Sequence, residues 1–178
     1  MNKNDLTNSI KQNSRTVSLM GVLIASEIVL SRFASISAWN IKIGFGFVPL
    51  VIAAMLLGPV KAGVVGALSD FLGATLFPIG AYFPGFTFTA LCTGIIYGVF
   101  LHKKENFLRI AAAVGINQLI LSLLLNTLWI SVLYGSPYGP LLMTRIIQCM
   151  ILIPVQIVVI NSISKTSILK AVVPNYRG

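Results

Sequence analysis

Acidic side chains are scarce in this sequence: only 4 of its 178 residues are Asp or Glu, against 13 Lys or Arg. It also has 1 His and 2 Cys, and both Cys92 and Cys149 lie inside apolar stretches. So few ligating groups predict no metal site, and we expect the cysteines to be buried free thiols. The shortage of acids also argues against the ion relays that channels and secondary carriers use.

Motifs for nucleotide and hydrolytic chemistry are missing as well. The sequence has no G-x-x-x-x-G-K-[ST] phosphate loop, so we expect this chain not to hydrolyse ATP. It has no metalloprotease motif and no nucleophile elbow. We therefore expect a binding protein with no cofactor and no enzymatic activity. A membrane-embedded enzyme acting on lipid, or a solitary channel or carrier, is the less favoured alternative.

Apolar residues dominate: 56% of the chain is hydrophobic and only 10% is charged, whereas soluble domains have about 25% charged residues. The sequence predicts an all-α membrane protein with six transmembrane helices in one bundle over residues 16–165. We expect polar cytoplasmic tails at 1–15 and 166–178, with no cleaved signal peptide. The second helix is short and is separated from the third by Gly58-Pro59. The predicted helices cover 16–33, 46–58, 60–77, 86–101, 109–133 and 140–163.

Positive charge predicts the orientation. With the N-terminus in the cytoplasm, and hence the C-terminus too, all but three of the 13 Lys and Arg residues fall on the cytoplasmic side. The net charge of +9 then reflects topology and anionic lipid rather than nucleic acid. The cytoplasmic cations are Lys3, Lys11, Arg15, Lys61, Lys103, Lys104, Arg109, Lys165, Lys170 and Arg177.

The three remaining cations, Arg32, Lys42 and Arg145, lie on the external side, where insertion does not need them. Charge at or inside a membrane is costly and usually functional, so we expect them to bind an anion. As alternatives, Arg32 and Lys42 could reach lipid headgroups, and Arg145 and Asp70 could neutralise each other. Glu27 is expected to be a buried pairing partner.

Aromatic and amide side chains accompany these cations at the predicted external ends. Such a set suits a flat, polar, anionic small molecule, because Arg binds carboxylates and aromatic planes stack on rings. Alternatively, Trp39 and Tyr82 anchor the protein at the membrane interface. The expected ligand-binding residues are Arg32, Trp39, Lys42, Phe45, Asp70, Phe83, Asn126, Trp129, Arg145 and Gln148.

Small residues recur four apart in the other half of the predicted bundle. The pairs are Gly21 with Ala25, Ala54 with Gly58, Ala62 with Gly66, and Gly63 with Ala67. Such pairs allow helices to approach closely. Either internal packing or docking of a partner's helix would explain them.

The run IKIGFGFVPLVIAAMLLGPVKAGVVGALSDFLGATLFPIGAYFPGFTFTALCTGIIYG resembles the substrate-binding S components of energy-coupling factor (ECF) vitamin transporters. The resemblance covers about residues 16–165, and LSRFASISAWNIKIGF is most similar to folate-specific members. It implies a six-helix protein of the bacterial cell membrane whose first and third loops gate an external site. It also implies a coupling subunit and two ATPase subunits as partners. Gly21 and Ala25 stand where the family carries its docking Ala-x-x-x-Ala pattern.

The implied ligand, folate or a related pterin, agrees with the candidate residues. Its glutamate tail carries two carboxylates for the three cations, and its two ring systems suit Trp39, Phe83 and Trp129. Its pterin edge offers N–H donors that Asp70, Asn126 and Gln148 could accept. An S component for another vitamin remains the alternative, although neutral riboflavin would leave the external cations unexplained.

Overall fold

The computed structural model describes residues 3–38, 41–102 and 106–165, with side chains described at 12–35, 44–102 and 106–165. This part of the chain is mainly helical, as the sequence predicts. The helices are α1 (Lys3–Arg32), α2 (Phe47–Leu57), α3 (Pro59–Leu76), α4 (Pro84–Leu101), α5 (Phe107–Tyr134) and α6 (Tyr138–Lys165).

Four of the described helical stretches are long and apolar enough to cross a membrane: Gln12–Arg32 of α1, α4, α5 and α6. Helix α2 has 11 residues, which corresponds to about 16 Å. It ends before Gly58, whose φ of 83° is a conformation that few other residues adopt. Pro59 then begins α3, so the predicted break between the second and third helices is confirmed. Helix α1 begins at Lys3, within the expected polar tail.

The connection after α1 departs from the all-helical prediction, because it forms a small antiparallel hairpin. Strand β1 (Ser35–Ala38) pairs with β2 (Ile41–Gly44) in the register Ser35↔Gly44 to Ala38↔Ile41. The hairpin lies tightly against itself: a Cβ at Gly44 would be 2.5 Å from Cβ of Ser35. We call this end of the bundle the hairpin end.

Helices α3 and α4 approach so closely that their contact excludes side chains at several positions. A Cβ built at Gly94 would lie 2.3 Å from the carbonyl oxygen of Ala62, and one at Gly98 would lie 2.2 Å from Cα of Pro59. Gly66 meets the carbonyl oxygen of Ala90 in the same way, at 2.6 Å. We call this contact the α3–α4 seam. It assigns the small residues of α3 to internal packing.

An apolar core closes the bundle at the end opposite the hairpin. It joins α2 to the facing parts of α3, α4, α5 and α6, and many of its side chains are fully buried. Close packing of these buried side chains stabilises the bundle through many small van der Waals contacts. Its largest fully buried side chains are Val51, Val65, Tyr97, Leu101, Ile110, Val114 and Ile160.

The middle of α5, from Asn117 to Leu125, is a π-helix. Side chains of α6 reach two carbonyl oxygens of this segment. Arg145 Nη1 donates to the carbonyl oxygen of Ser122 over 3.3 Å, and Cys149 Sγ donates to that of Gln118 over 3.5 Å. Helix α6 therefore holds this segment with donors spaced one turn apart.

Candidate functional site

A cavity of about 540 Å³ lies at the hairpin end, between α1, the hairpin, α3, α5 and α6. Its volume is within the range of small-molecule sites. Its lining includes two acidic and two basic side chains: Glu27, Asp70, Arg32 and Arg145. It also includes four amide side chains, which are Gln118, Asn126, Gln148 and Gln156.

Five of the predicted binding residues line this cavity: Arg32, Asp70, Asn126, Arg145 and Gln148. They come from four helices that are distant in sequence, so the fold alone brings them together. Arg145 and Gln148 are 8% and 6% exposed, which is uncommon for such polar groups unless they have a structural or functional partner. The cavity is therefore a concentrated polar site inside an apolar bundle.

Arg32 occupies the last turn of α1, and its guanidinium lies next to Gly73 of α3. The contact is close, because a Cβ at Gly73 would lie 3.1 Å from Arg32 Nε. Among the described residues, Arg32 Nε is buried without a hydrogen-bond partner. Leaving such a donor without a hydrogen bond is costly, so a ligand oxygen that accepts from Arg32 Nε would be stabilising.

Asp70 is fixed from one side by a hydroxyl group. Thr87 Oγ1, in the first turn of α4, donates to Asp70 Oδ2 over 2.8 Å. Tyr82 OH lies 3.2 Å from the same Thr87 oxygen. The Asp70 carboxylate therefore lines the cavity with one of its oxygens already hydrogen-bonded.

Two predicted aromatic residues, Phe83 and Trp129, pack against each other with ring centroids 5.5 Å apart. Trp129 Nε1 donates to Thr89 Oγ1 over 3.0 Å. Both rings press on Gly85, where a Cβ would lie 2.6 Å from each. They join the start of α4 to α5 and, among the described residues, do not line the cavity. Their role in binding stays a prediction.

The other predicted residues stand as follows. Phe45 is 50% exposed, stacks near Phe47 and is likewise absent from the described cavity lining. Lys42 belongs to β2, which places its backbone in the hairpin, while its side chain lies outside the described part. Trp39 lies outside the described residues altogether.

Several lining residues were missed by the sequence analysis. Gln118, Ser122 and Asn126 recur four apart on α5, so a search for polar residues at helical spacing around Asn126 would have found two more. Gln156 follows Gln148 by eight on α6 in the same way. Phe86 and Tyr134 supply aromatic surface instead of Phe83 and Trp129.

The predicted docking residues lie on a different surface. Gly21 and Ala25 are exposed on α1, and nothing in the described part of the chain comes within 4 Å of a Cβ built at Gly21. This surface, which we call the α1 face, is separate from the lining of the cavity. Substitutions at Gly21 or Ala25 therefore leave the described cavity lining itself unchanged.

Comparison with known proteins places the chain in a family. The family model "ECF transporter, substrate-specific component" matches residues 15–164. A folate transporter FolT of Clostridium novyi is 45% identical over 142 residues, which are 79% of this chain and 83% of that protein. A folate transporter FolT of Leuconostoc mesenteroides is 32% identical over 154 residues, 83% of each chain.

A solved structure is similar as well. The crystal structure of FolT bound with folic acid has a TM-score of 0.78 and 37% identity, covering 82% of this chain and 90% of that one. The family consists of transport components, so the enzyme alternative is excluded. Its curated relatives are bacterial, and the apolar helices agree with a membrane protein. The chain belongs to the substrate-specific components of ECF transporters.

Proposed function

We propose that this chain is the folate-binding subunit of an ECF importer, capturing folate at the hairpin end and passing it on through a coupling subunit. The observation that carries the proposal is the meeting of Arg32, Arg145 and Asp70 with four amides in one cavity of about 540 Å³. Similarity to two folate transporters and to a structure that holds folic acid supports it.

The ligand's two ends differ in the chemistry that they require. The glutamate tail presents two carboxylates, for which guanidinium groups are the best partners, because they donate two parallel hydrogen bonds. Arg32 and Arg145 supply these in the cavity, and Lys42 is proposed as a third cation from the hairpin. The pterin edge presents adjacent N–H donors, which Asp70 can accept through its carboxylate.

The proposed topology has six membrane helices with both termini in the cytoplasm. The hairpin end then faces outward, and the cavity opens toward the external medium. Helix α2, with only 11 residues, is too short to cross the bilayer alone and relies on its packing against α3 and α4. The excess of Lys and Arg at the opposite end supports this orientation.

Energy for transport is proposed to come from partners. The sequence offers no phosphate loop, so we assign ATP hydrolysis to two ATPase subunits and docking to the α1 face, through Gly21 and Ala25. An exposed pair of small residues allows a partner's helix to approach the backbone. This makes the chain a binder whose affinity for ligand is independent of nucleotide.

Calorimetric titration of the isolated, detergent-solubilised chain tests the ligand. Folic acid should bind without ATP, and riboflavin, measured as a control, should not bind. Any ligand that copurifies should have the absorbance of a pterin. A flavin spectrum, or binding that depends on added ATP, would contradict the proposal. Cellular uptake should behave in the opposite way and disappear without the ATPase partners.

A further inference from the structure

Three polar side chains connect the cavity to the segment that joins α3 to α4. Asp70 lies on α3 and lines the cavity. Thr87 donates to its Oδ2 from the first turn of α4, and Tyr82 lies in the connection itself, 3.2 Å from the Thr87 hydroxyl. Of the described residues, Thr87 and Tyr82 are outside the cavity lining. They reach the cavity only through Asp70.

Thr87 behaves differently from the neighbouring threonines of α4. Thr89 and Thr93 each donate to the carbonyl oxygen four residues earlier, at Gly85 and Thr89. This is the ordinary local bond of a helical threonine. Thr87 instead donates to a residue 17 positions away on another helix. Its hydroxyl therefore links α4 to α3 instead of donating to a carbonyl oxygen of its own helix.

The direction of the hydrogen bonds follows from the number of protons. An ionised carboxylate only accepts, and a threonine hydroxyl has one proton to donate. Because that proton points to Asp70, the Thr87 oxygen can only accept from Tyr82. The chain of donors therefore runs from Tyr82 to Thr87 to Asp70, and the negative charge at its end strengthens both bonds.

The connection that contains Tyr82 forms part of the cavity wall. Ile79, Gly80 and Ala81, directly before Tyr82, contribute to the lining. The Tyr82 ring also packs edge-on against Phe71 of α3, with centroids 5.8 Å apart. On the far side, a Cβ at Gly80 would lie 2.9 Å from the hydroxyl of Tyr134. The position of this wall segment is thus tied to the orientation of Asp70.

We propose that Thr87 is a positioning residue for Asp70 and that Tyr82 fastens the wall segment through it. Oδ2 is held by Thr87, so Oδ1 is presented to the N–H donors of the ligand in a fixed plane. Such preorganisation reduces the entropy lost on binding. The inference rests on the proposed function, since it takes Asp70 to be a contact of the pterin.

Kinetics of folic acid binding to the purified chain test the proposal. Thr87→Val, which is nearly isosteric, should weaken binding about tenfold, because it removes a hydrogen bond to a charged group. Thr87→Ser should restore affinity to within about threefold, because it retains the hydroxyl. Thr93→Val, on the same helix but bonded to its own backbone, is the matched control and should bind as the wild type does.

Tyr82→Phe should act mainly on release. We expect the dissociation rate to rise about threefold, with a smaller change in the association rate, because the wall segment is loosened while Asp70 stays in place. In the Thr87→Val background, Tyr82→Phe should have no further effect, because the bond that it removes is already absent. Additive losses in the double variant, or failure of Thr87→Ser to restore binding, would overturn the proposal.

Hydrogen exchange without ligand separates this inference from the proposed function. Backbone amides of residues 77–83 should exchange faster in Thr87→Val than in wild type or Thr93→Val. If wild type does not bind folic acid but this difference is seen, the proposed ligand is wrong and the link between Thr87 and the wall segment stands. If wild type binds and exchange is equal in all three proteins, the link is wrong.

Discussion

The α3–α4 seam and the α1 face carry similar patterns of small residues, yet the structure uses them differently. In the seam, a methyl group at Gly94 would collide with the backbone of Ala62. At Gly21 on the α1 face, the same methyl group would meet nothing in the described part of the chain. A small-x-x-x-small pattern shows only that a close approach is possible. Whether the neighbour belongs to the same chain depends on the fold.

This difference gives each surface a distinct role. The small residues in the seam are explained by contacts within the chain, because α3 and α4 approach each other closely there. Within the described part of the chain, nothing lies near a Cβ built at Gly21, and Ala25 is exposed, which supports the proposal that the α1 face receives a partner. The same large substitution on the two surfaces should therefore damage different properties.

The largest effect is expected for Gly94→Leu. A leucine cannot fit where even a Cβ would lie 2.3 Å from the Ala62 carbonyl oxygen, so the helices must separate. We expect a loss of more than about 3 kcal/mol of stability, at or beyond the usual cost of overpacking. Thermal unfolding in detergent measures it, with Gly94→Ala as a milder form. Unchanged melting would show that the seam is looser than described.

A substitution in the cavity should weaken ligand binding while the protein keeps its fold. Arg32→Ala should weaken folic acid binding about ten- to a hundredfold, the loss of one or two charge-assisted hydrogen bonds. Pteroic acid, which lacks the glutamate tail, should lose less. Calorimetry with both ligands measures the difference. Equal losses would assign Arg32 to the pterin end, and no loss for either would make it a lipid anchor.

Gly21→Leu and Ala25→Leu, on the α1 face, should impair assembly with the partner rather than stability or ligand binding. Folate affinity and melting temperature should stay near wild-type values, while assembly with the coupling subunit weakens about tenfold, because a bulky side chain holds the partner's helix away. Gly115→Leu is a matched control, since a Cβ at Gly115 also meets nothing within 4 Å in the described chain. Co-purification with the partner complex gives the readout. Joint loss of binding and assembly would mean that the α1 face packs internally.

The smallest effect is expected for Trp129→Phe. The substitution keeps an aromatic ring against Phe83 and removes the hydrogen bond to Thr89. It should cost about 1 kcal/mol of stability and change folate affinity less than twofold. Thermal unfolding measures the loss of stability, and titration of the same preparation with folic acid measures the affinity. A larger loss of affinity without a loss of stability would support the predicted role of Trp129 in binding.

The helices were predictable because lipid forces long apolar stretches into helices, and Gly58-Pro59 marks the break between α2 and α3. The hairpin was missed, because two strands of four residues carry almost no periodic signal and depend on packing against α1 and α6. Strand pairing of this kind is decided by the fold, so the sequence around it showed only a loop.

Arg32, Arg145, Asp70 and two of the four amides that line the cavity were predictable, since polar groups inside apolar helices are costly and usually functional. The aromatic lining was not, because an aromatic residue is equally at home in a core, a membrane interface or a site. Phe86 and Phe83 are three residues apart, and only the structure places Phe86 in the cavity. Thr87 was unpredictable for a similar reason: a threonine hydroxyl usually bonds to its own helix.

Filling the cavity is the most direct test that it holds folate. Ala74 lines the cavity, whereas Ala111 on α5 is half-buried and, among the described residues, outside the lining. Folic acid titrations of Ala74→Phe and Ala111→Phe, without ATP and on preparations matched for melting temperature, compare a blocked site with an intact one. We expect Ala74→Phe to bind folic acid at least about tenfold more weakly than wild type and Ala111→Phe to bind it like wild type. Equal, undiminished binding by both variants would contradict it.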